Sequence, residues 1–243
     1  MDFELTEEQG ALREVSRSML AASCPPQLVR ALASACTDVD DKLWQRASEL
    51  GWLGLAVPVE LDGAGQGLVE LALVAEEIGR AAAAGAFTDS ALIALAIARS
   101  RQAGRAAQAG RAAGLVPALA EGRLKASWAH HGSVAGTLDG AELVLRGRAT
   151  AVQAAGAADW LLVGAVCDAG RRLVLVDPAR ASIERRRTLD ETRRWYDVIL
   201  DEVRVEAADV VTADEAQIEW LTDAAAVLTA ADALGAGERL LEM

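Results

Sequence analysis

The spacing of apolar residues changes near residue 123, and this change constrains the fold more than any other feature of the sequence. Before it, apolar residues recur every three or four positions, as on one face of a helix. After it, they alternate or form short runs rich in β-branched residues, which is typical of strands. From about residue 212 the helical spacing returns. The sequence therefore predicts an α+β protein built in three parts.

Helix caps and breaks mark out the first part. Thr6 and Gln9 have the spacing of a capping box, and Leu12, Val15 and Met19 follow at helical spacing on one face. Pro25-Pro26 ends that helix. Asp40 and Asp41 open another helix, which Gly51 ends. Further helices are predicted from about 68 to 84, 90 to 100 and 103 to 122, and Pro117 must kink or end a segment of the last.

The second part contains strands with no helices between them. Strands are predicted from 143 to 152, 160 to 167, 172 to 177 and 195 to 205. Asp139-Gly140 and Asp168-Ala169-Gly170 are turn signals between neighbouring strands. Consecutive strands without crossover helices favour an antiparallel sheet or barrel over a βαβ arrangement.

The last part is predicted to be one helix. Thr212 and Glu215 have capping-box spacing, and Ile218, Leu221, Ala225 and Leu228 share an apolar face. A helix with an apolar stripe needs a cover. We expect a second subunit to provide it, and packing onto the same chain is the alternative.

Composition excludes several classes of protein. Acidic residues outnumber Lys and Arg by 36 to 24, for a net charge of -12, whereas nucleic-acid binders carry a basic footprint. No apolar stretch is long enough to span a membrane, and the acidic first residues lack a signal-peptide pattern, so we expect a cytoplasmic protein. The spacing of the three cysteines and of the adjacent His130 and His131 indicates neither a disulfide framework nor a metal site.

Two features have both a structural and a ligand-binding interpretation. Residues 61–67, LDGAGQG, form a glycine-rich loop that lacks the strand and helix of a dinucleotide-binding fingerprint. It is either a connection between helices or a loop that approaches a ligand. Trp128, at the junction of the helical and strand patterns, either packs in the core or lines a ligand site.

Several segments resemble acyl-CoA dehydrogenases in order and spacing over nearly the whole chain. The most distinctive segment is LWQRASELGWLGLAVP at 43–58. The others are DFELTEEQ at 2–9, DGAG at 62–65, ELALVAEEIGR at 70–80, LVPALAEG at 115–122, AADWLLV at 157–163, TLD at 188–190, DEVRV at 201–205 and ALGAGER at 233–239.

The resemblance implies a helical N-terminal domain at 1–122, a middle β-barrel domain at 123–211 and the first helix of a C-terminal helical bundle at 212–243. Enzymes of this family oxidise an acyl-CoA to the 2,3-enoyl-CoA. A carboxylate base removes the α-proton, FAD accepts the β-hydride, and an electron-transferring flavoprotein takes the electrons. The family's base belongs to the later bundle, so we expect it outside this chain and assign no catalytic residue.

The family's flavin motifs fall on two segments of the sequence. The first matches ASWAHHGS at 126–133 and the second GRATAVQ at 147–153. By resemblance, Trp128, Ala129, Ala151 and Gln153 are the cofactor-binding positions and Ser133 is a substrate-binding position. Ala151 and Gln153 stand where the family has an aromatic ring and a hydroxyl, so we expect weak FAD binding by the chain alone.

Three functions remain open from the sequence. The chain is a flavoprotein subunit that acts on acyl-CoA together with a homologous subunit or a missing segment, as in bacterial enzymes for bulky substrates such as steroid side chains. Alternatively it is a non-catalytic structural partner in a heteromeric acyl-CoA dehydrogenase. The third hypothesis is an acyl-CoA or small-ligand binding module.

Overall fold

The structure is a computed structural model that describes residues 4–102 and 110–243. The helices are α1 (Glu7–Ser23), α2 (Pro26–Ala35), α3 (Asp41–Glu49), α4 (Leu68–Arg80), α5 (Phe87–Gln102), α6 (Gly110–Ala120) and α7 (Glu215–Leu241). The strands are β1 (Ala126–Ala129), β2 (His131–Asp139), β3 (Glu142–Gln153), β4 (Trp160–Cys167), β5 (Gly170–Val176), β6 (Ser182–Arg186), β7 (Trp195–Glu206) and β8 (Val210–Thr212). The α+β class is confirmed. The helix predicted over 103–122 lies partly outside the described residues, and Pro117 sits inside α6.

Local signals account for the starts of the first three helices. Thr6 and Gln9 form the predicted capping box, since the Thr6 hydroxyl accepts the Gln9 N–H and the Gln9 side chain accepts the Thr6 N–H. The Asp40 carboxylate accepts the Leu43 N–H at the start of α3. Pro26 opens α2, a helix that the sequence pattern did not predict. Proline suits this first position because it lacks the N–H that a helix start leaves unbonded.

The apolar face predicted for α1 is partly wrong. Val15 is 51% exposed, whereas Ser16 and Leu20 are buried. α1 packs against α4, where Arg17 forms a 2.7 Å ion pair with Glu77, whose side chain is 1% exposed. The contact of Arg17 with the buried Glu77 accompanies the inward turn of the Ser16 side of the helix, which apolar spacing alone does not reveal.

Aromatic residues form the centre of the helical core. Phe87 at the start of α5 stacks on Trp44 with ring centroids 5.0 Å apart, and Trp52 meets it edge-on at 6.2 Å. The Trp44 indole N–H donates to the carbonyl of Gly122 at 2.8 Å, which satisfies a buried donor. These contacts fasten α3 and α5 to the end of the helical part.

The glycine-rich loop at 61–67 folds back on its own chain. The N–H groups of Ala64, Gly65 and Gln66 donate to carbonyls of residues 54, 57 and 55 at 2.8–3.0 Å. A Cβ at Gly63 would lie 2.0 Å from the carbonyl oxygen of Val57, so only glycine fits there. The contacts support the interpretation of this loop as a connection between helices.

The strands form a single eight-stranded sheet within the described residues, in the order β6-β7-β3-β2-β4-β5-β8, with β1 beside β4. Most neighbouring strands are antiparallel, as predicted. β1 and β2, however, both run parallel to β4, with Ala126 opposite Trp160 and Ala135 opposite Val166. β1 pairs with the first half of β4, and β2 pairs with its last two residues. A short 3-10 turn at Ala155–Ala157 connects β3 to the start of β4. No α-helix intervenes between β1 and β8.

α7 packs against the helical part of the same chain. Ile218, Leu221 and Leu228 are at most 3% exposed and belong to the core formed with α4 and α5. The expectation that a second subunit covers this stripe is therefore wrong. The predicted capping box is also wrong: Asp214 is the N-cap, and Thr212 belongs to β8.

Two glycines let α4 and α7 cross with their backbones in contact. A Cβ at Gly79 would lie 1.8 Å from the carbonyl oxygen of Asp232, and one at Gly235 would lie 1.8 Å from that of Glu76. The crossing therefore fixes the C-terminal half of α7 against α4. Among the described helices, none is long and apolar enough to cross a membrane.

Candidate functional site

A chemically mixed cavity lies between α5, α7 and the strand ends of β1, β3 and β7, and we call it the cleft. Its volume is about 700 Å³, within the range of ordinary small-molecule sites. The lining residues are Thr88, Asp89, Leu92, Trp128, His130, His131, Ala151, Gln153, Arg193, Trp195, Thr222, Ala225, Ala226, Leu228, Thr229, Ala230, Asp232 and Ala233.

The first turn of α5 holds one wall of the cleft in place. The Asp89 carboxylate accepts the Trp128 N–H at 3.0 Å. The Ser90 hydroxyl accepts the Ala126 N–H at 2.9 Å and lies 3.0 Å from the Ala126 carbonyl, to which it donates. Burial raises the pKa of the Asp89 carboxyl to about 6, and the bond from Trp128 opposes that rise. Asp89 is thus a carboxyl that titrates near neutral pH in the cleft wall.

Three aromatic rings lie in a row, tilted against one another, from the end of β1 to the start of β2. The ring centroids of Trp128 and His130 are 4.2 Å apart, and those of His130 and His131 are 3.9 Å apart. His130 Nδ1 lies 3.3 Å from the Trp128 carbonyl oxygen. Because a carbonyl only accepts, Nδ1 carries the proton in this bond and the neutral ring presents Nε2 as an acceptor. Burial and the neighbouring His131 lower the pKa of His130 to about 4.

The end of β3 forms a second wall with an irregular backbone. Ala151 has a φ of 54° and lies where the register between β3 and β7 shifts. A left-handed backbone is uncommon for a residue with a Cβ. Two residues on, the Gln153 side-chain amide donates to the Gly85 carbonyl at 2.9 Å. The amide therefore ties β3 to the turn before α5.

α7 contributes a wall of small side chains. Ala226, Ala230 and Ala233 lie in the cleft at helical spacing. The hydroxyls of Thr222 and Thr229 donate to carbonyls one turn back in their own helix, at 2.9 and 2.8 Å. The α7 wall is consequently apolar in character, although it contains hydroxyl groups.

An ion pair closes one end of the cleft. Arg193 donates two hydrogen bonds to the Asp232 carboxylate, at 2.9 and 2.6 Å. The side chains are 18% and 17% exposed. Because both carboxylate oxygens accept from one guanidinium, the pair has a fixed geometry.

The structure brings three of the five residues predicted as site residues together. Trp128, Ala151 and Gln153 line the cleft. Ala129 is 1% exposed and packs in the sheet core, and Ser133 is exposed on β2; neither is among the lining residues. Trp128 is 2% exposed and belongs to the core, as one interpretation predicted, and it also lines the cleft.

Sequence reasoning missed Asp89, Arg193 and Asp232. The signals were present but not distinctive: Asp89 is an acidic residue directly before the helix predicted over 90–100, and Arg193 is one of several arginines. Asp232 lies one turn beyond Leu228, where the apolar stripe of this helix gives way to a charged residue. Which of these groups meet depends on how α7 crosses the sheet, and no local pattern encodes that.

Several side-chain donors of the cleft are already bonded within the protein. A flavin ring system presents several acceptor atoms, so it needs donors in the wall. Gln153 already donates to Gly85, Arg193 to Asp232, and the two threonines to their own helix. The Trp128 indole N–H has no partner but is sealed inside the wall. The cleft therefore suits an apolar ligand better than the polar edge of FAD.

No group of three or more His, Cys, Asp or Glu side chains placed to hold a metal ion occurs in the part of the chain that the structure describes. Cys24, Cys36 and Cys167 are free thiols. The polar groups of the cleft can therefore take part in proton transfer and ligand binding.

Comparisons with known proteins place the chain in a family. Residues 6–123 match the family model of the acyl-CoA dehydrogenase N-terminal domain. Acyl-CoA dehydrogenase IpdE2 of Mycobacterium tuberculosis is 40% identical over 76 residues, which are 31% of this chain and 24% of IpdE2. Acyl-CoA dehydrogenase FadE12 of the same organism is 28% identical over 223 residues, covering 81% of this chain and 55% of FadE12. The chain thus spans about half of FadE12 and a quarter of IpdE2.

The fold agrees with a solved structure over the whole chain. The crystal structure of the ChsE4-ChsE5 complex from Mycobacterium tuberculosis superposes with a TM-score of 0.85 at 26% identity, and the match covers 100% of this chain and 67% of that one. Helices, sheet and α7 all take part in the match. The chain belongs to the acyl-CoA dehydrogenase family.

Proposed function

We propose that this chain is a subunit of a heteromeric acyl-CoA dehydrogenase that receives the acyl group of an acyl-CoA in the cleft. The observation that carries the proposal is an apolar cleft of about 700 Å³ whose wall donors are largely bonded within the protein. Such a wall accepts an acyl chain without leaving buried donors unpaired. The similar ChsE4-ChsE5 structure is that of a complex, which supports assembly with a homologous subunit.

The proposed reaction is oxidation of the acyl-CoA to the 2,3-enoyl-CoA. Removal of the α-proton needs a carboxylate within hydrogen-bond reach of it. Asp232 is held by Arg193, and Asp89 accepts from the Trp128 backbone. Both carboxylates of the described cleft wall thus have structural partners. The proposal therefore assigns the base to a group outside the described cleft wall.

FAD is the proposed hydride acceptor of the assembled enzyme. Since Gln153, Arg193 and the two threonines already donate within the protein, we propose that the homologous subunit holds most of the cofactor, with Trp128, Ala129, Ala151 and Gln153 at its border and Ser133 nearer the substrate. An electron-transferring flavoprotein as final acceptor, a cytoplasmic location and the division at 122 and 211 belong to the proposal on family resemblance.

A second candidate is a structural partner without catalytic chemistry of its own. The bond from Gln153 to Gly85 favours it, because it uses the amide that stands at the family's hydroxyl position. In that case the cleft is an imperfectly packed region that the neighbouring subunit covers. The two candidates differ in whether the cleft binds acyl-CoA.

Co-expression with a full-length homologue encoded beside the gene separates these candidates. We expect the isolated chain to retain little FAD through gel filtration and to show no turnover with an artificial electron acceptor. The complex should contain FAD and convert octanoyl-CoA or a bulkier acyl-CoA to its enoyl product. Ala230→Leu in the cleft should reduce turnover of the complex, whereas the control Ala216→Leu, exposed near the start of α7, should not. Equal turnover in both variants would favour the structural partner.

A further inference from the structure

The segment between β6 and β7, residues 187–194, brings Arg193 into the lining of the cleft, and we call it the strap. It carries a local turn, in which the Asp190 carboxylate accepts the Thr192 N–H at 2.8 Å and the Thr188 hydroxyl donates to the Asp190 carbonyl at 2.7 Å. Trp195, directly after the strap, lines the cleft. The path of the strap therefore sets the position of one cleft wall.

Two adjacent arginines leave the strap toward different elements. Arg194 is 4% exposed and donates to the carbonyl oxygens of Leu32 and Ala33 near the end of α2. These carbonyls belong to the last turn of a helix, where a cation is stabilising. Arg193 reaches across to Asp232 on α7. The strap is thus anchored to the helical part on one side and to α7 on the other.

Asp232 is presented from a point where α7 packs closely against α4. Its carbonyl oxygen lies where a Cβ at Gly79 would come within 1.8 Å, so α4 and α7 are in backbone contact at this residue. The strap, by contrast, has no strand or helix assigned between Arg186 and Trp195. The ion pair therefore connects an irregular segment to a rigid one.

We infer that Arg193 and Asp232 are positioning residues that hold the strap and Trp195 at a fixed distance from the small-residue wall of α7, and so set the width of the cleft for its ligand. The identity of that ligand as an acyl-CoA rests on the proposed function. The positioning role of this ion pair does not depend on a bound flavin. Both side chains are largely removed from water, so loss of either partner leaves a poorly solvated charge. In a variant that lacks one partner, we expect the strap to move away from α7, because water can then solvate the remaining charge.

Amide hydrogen exchange of the ligand-free full chain tests the positioning role directly. Arg193→Gln and Asp232→Asn should each speed exchange in the strap and at the start of β7 at least tenfold. The matched control is Arg186→Gln, which breaks a 3.1 Å ion pair with Asp197 on β7 outside the cleft. It should leave exchange in the strap unchanged.

Two further variants keep the test decisive if a single variant unfolds. Arg193→Lys keeps the charge but loses the paired geometry, so it should give an intermediate increase in exchange. The reversed pair Arg193→Asp with Asp232→Arg should return exchange to within about threefold of the parent, because the attraction across the cleft is restored. Unchanged exchange in every variant, or no recovery in the reversed pair, overturns the positioning role.

Octanoyl-CoA titration, followed by tryptophan fluorescence, then tests the ligand. Arg193→Gln and Asp232→Asn should weaken binding at least tenfold, and Arg186→Gln should not. If the parent binds no octanoyl-CoA while exchange responds as expected, the acyl-CoA assignment fails and the positioning role stands. If the parent binds and the variants bind equally well, the pair does not set the cleft for its ligand, and the inference fails.

Discussion

Small residues have opposite effects on the two sides of α7. On the side facing α4, Gly79 and Gly235 bring the helix backbones into contact, and Leu221 is fully buried. On the side facing the sheet, Ala226 and Ala230 leave an open cleft whose end is held by a single ion pair. The same helix is therefore a tightly packed element on one side and a cavity wall on the other.

This difference shows that composition does not decide whether small residues close or open a space. At the crossing with α4 a small residue faces the backbone of another helix, so its missing side chain becomes close contact. At the cleft the small residues of α7 lie opposite Trp128 of β1 and Trp195 of β7. The space that longer side chains would fill there stays open as the cavity. Substitutions that add atoms should therefore destabilise the first side and only narrow the second.

Gly235→Ala should have the largest effect on the free energy of unfolding. Its Cβ would lie 1.8 Å from the Glu76 carbonyl oxygen, which belongs to backbone and cannot rotate away. We expect a loss of about 3 kcal/mol. Gly237→Ala is the matched control, because nothing lies within 4 Å of its added Cβ. It should be neutral or stabilise by up to about 1 kcal/mol through helix propensity. Urea unfolding of both variants measures this; equal stabilities would disprove the close crossing.

Leu221→Ala should have the next largest effect. The side chain is 0% exposed in the core shared with the N-terminal helices, so its truncation leaves a cavity. The expected loss is about 2–3 kcal/mol, in the lower part of the range for a buried leucine. Val227→Ala, on the same helix but 49% exposed, should change stability by less than about 0.5 kcal/mol. A large loss for Val227 and a small one for Leu221 would show that the opposite face of α7 is covered.

Ala226→Leu should affect binding more than stability. Ala226 is exposed in the cleft, so the added atoms enter open space and not a packed core. We expect the unfolding free energy to change by under about 0.5 kcal/mol. Affinity for octanoyl-CoA should fall about tenfold, since the longer side chain occupies part of the proposed acyl site. Isothermal titration of the parent, Ala226→Leu and Ala216→Leu checks this, and undiminished affinity would place the ligand elsewhere.

Much of the fold could be predicted because its signals are local. Strand β4 was predicted at its observed bounds from an apolar, β-branched run, and the capping box of Thr6 and Gln9 fixed the start of α1. The errors lie where tertiary contacts outweigh the pattern. Arg17 draws α1 toward Glu77, and Thr212 joins a strand although its spacing resembles a cap.

The candidate site was predicted only in part, because it depends on contacts between distant segments. Motif resemblance identified Trp128, Ala151 and Gln153, which lie in the cleft. It did not identify Asp232, since the stripe of Ile218 and Leu221 was expected to face a partner and the chain's own helices cover it instead. Ala225 and Leu228 of the same stripe also border the cleft, so the cleft adjoins the packed face of α7 and brings in Asp232 one turn beyond Leu228.

Two titratable groups of the cleft wall should give small pH effects of opposite sign. The pKa of Asp89 is raised to about 6 in the folded chain, from an ordinary value of 3.8. Between these values the folded state binds more protons than the unfolded state, so this group lowers stability as pH rises. The pKa of His130 is lowered to about 4 from 6.5. There the unfolded state binds more protons, so His130 raises stability as pH rises through the same window.

Replacing each group separately should expose the other. Asp89→Asn keeps an oxygen that accepts the Trp128 N–H but removes the titration, so its stability relative to the parent should increase from pH 4 to pH 7. His130→Gln should show the reverse trend. Because neither residue is fully removed from water, each difference should be about 1 kcal/mol or less. Urea unfolding at pH 4, 5, 6 and 7 gives the two slopes, with Ala216→Leu as a pH-independent control. Slopes of the same sign would mean that Asp89 and His130 do not share the desolvated wall that bounds the cleft. Opposite slopes would place both groups in that wall. The cleft side of α7 would then differ in its pH dependence from the uncharged crossing of α4 and α7.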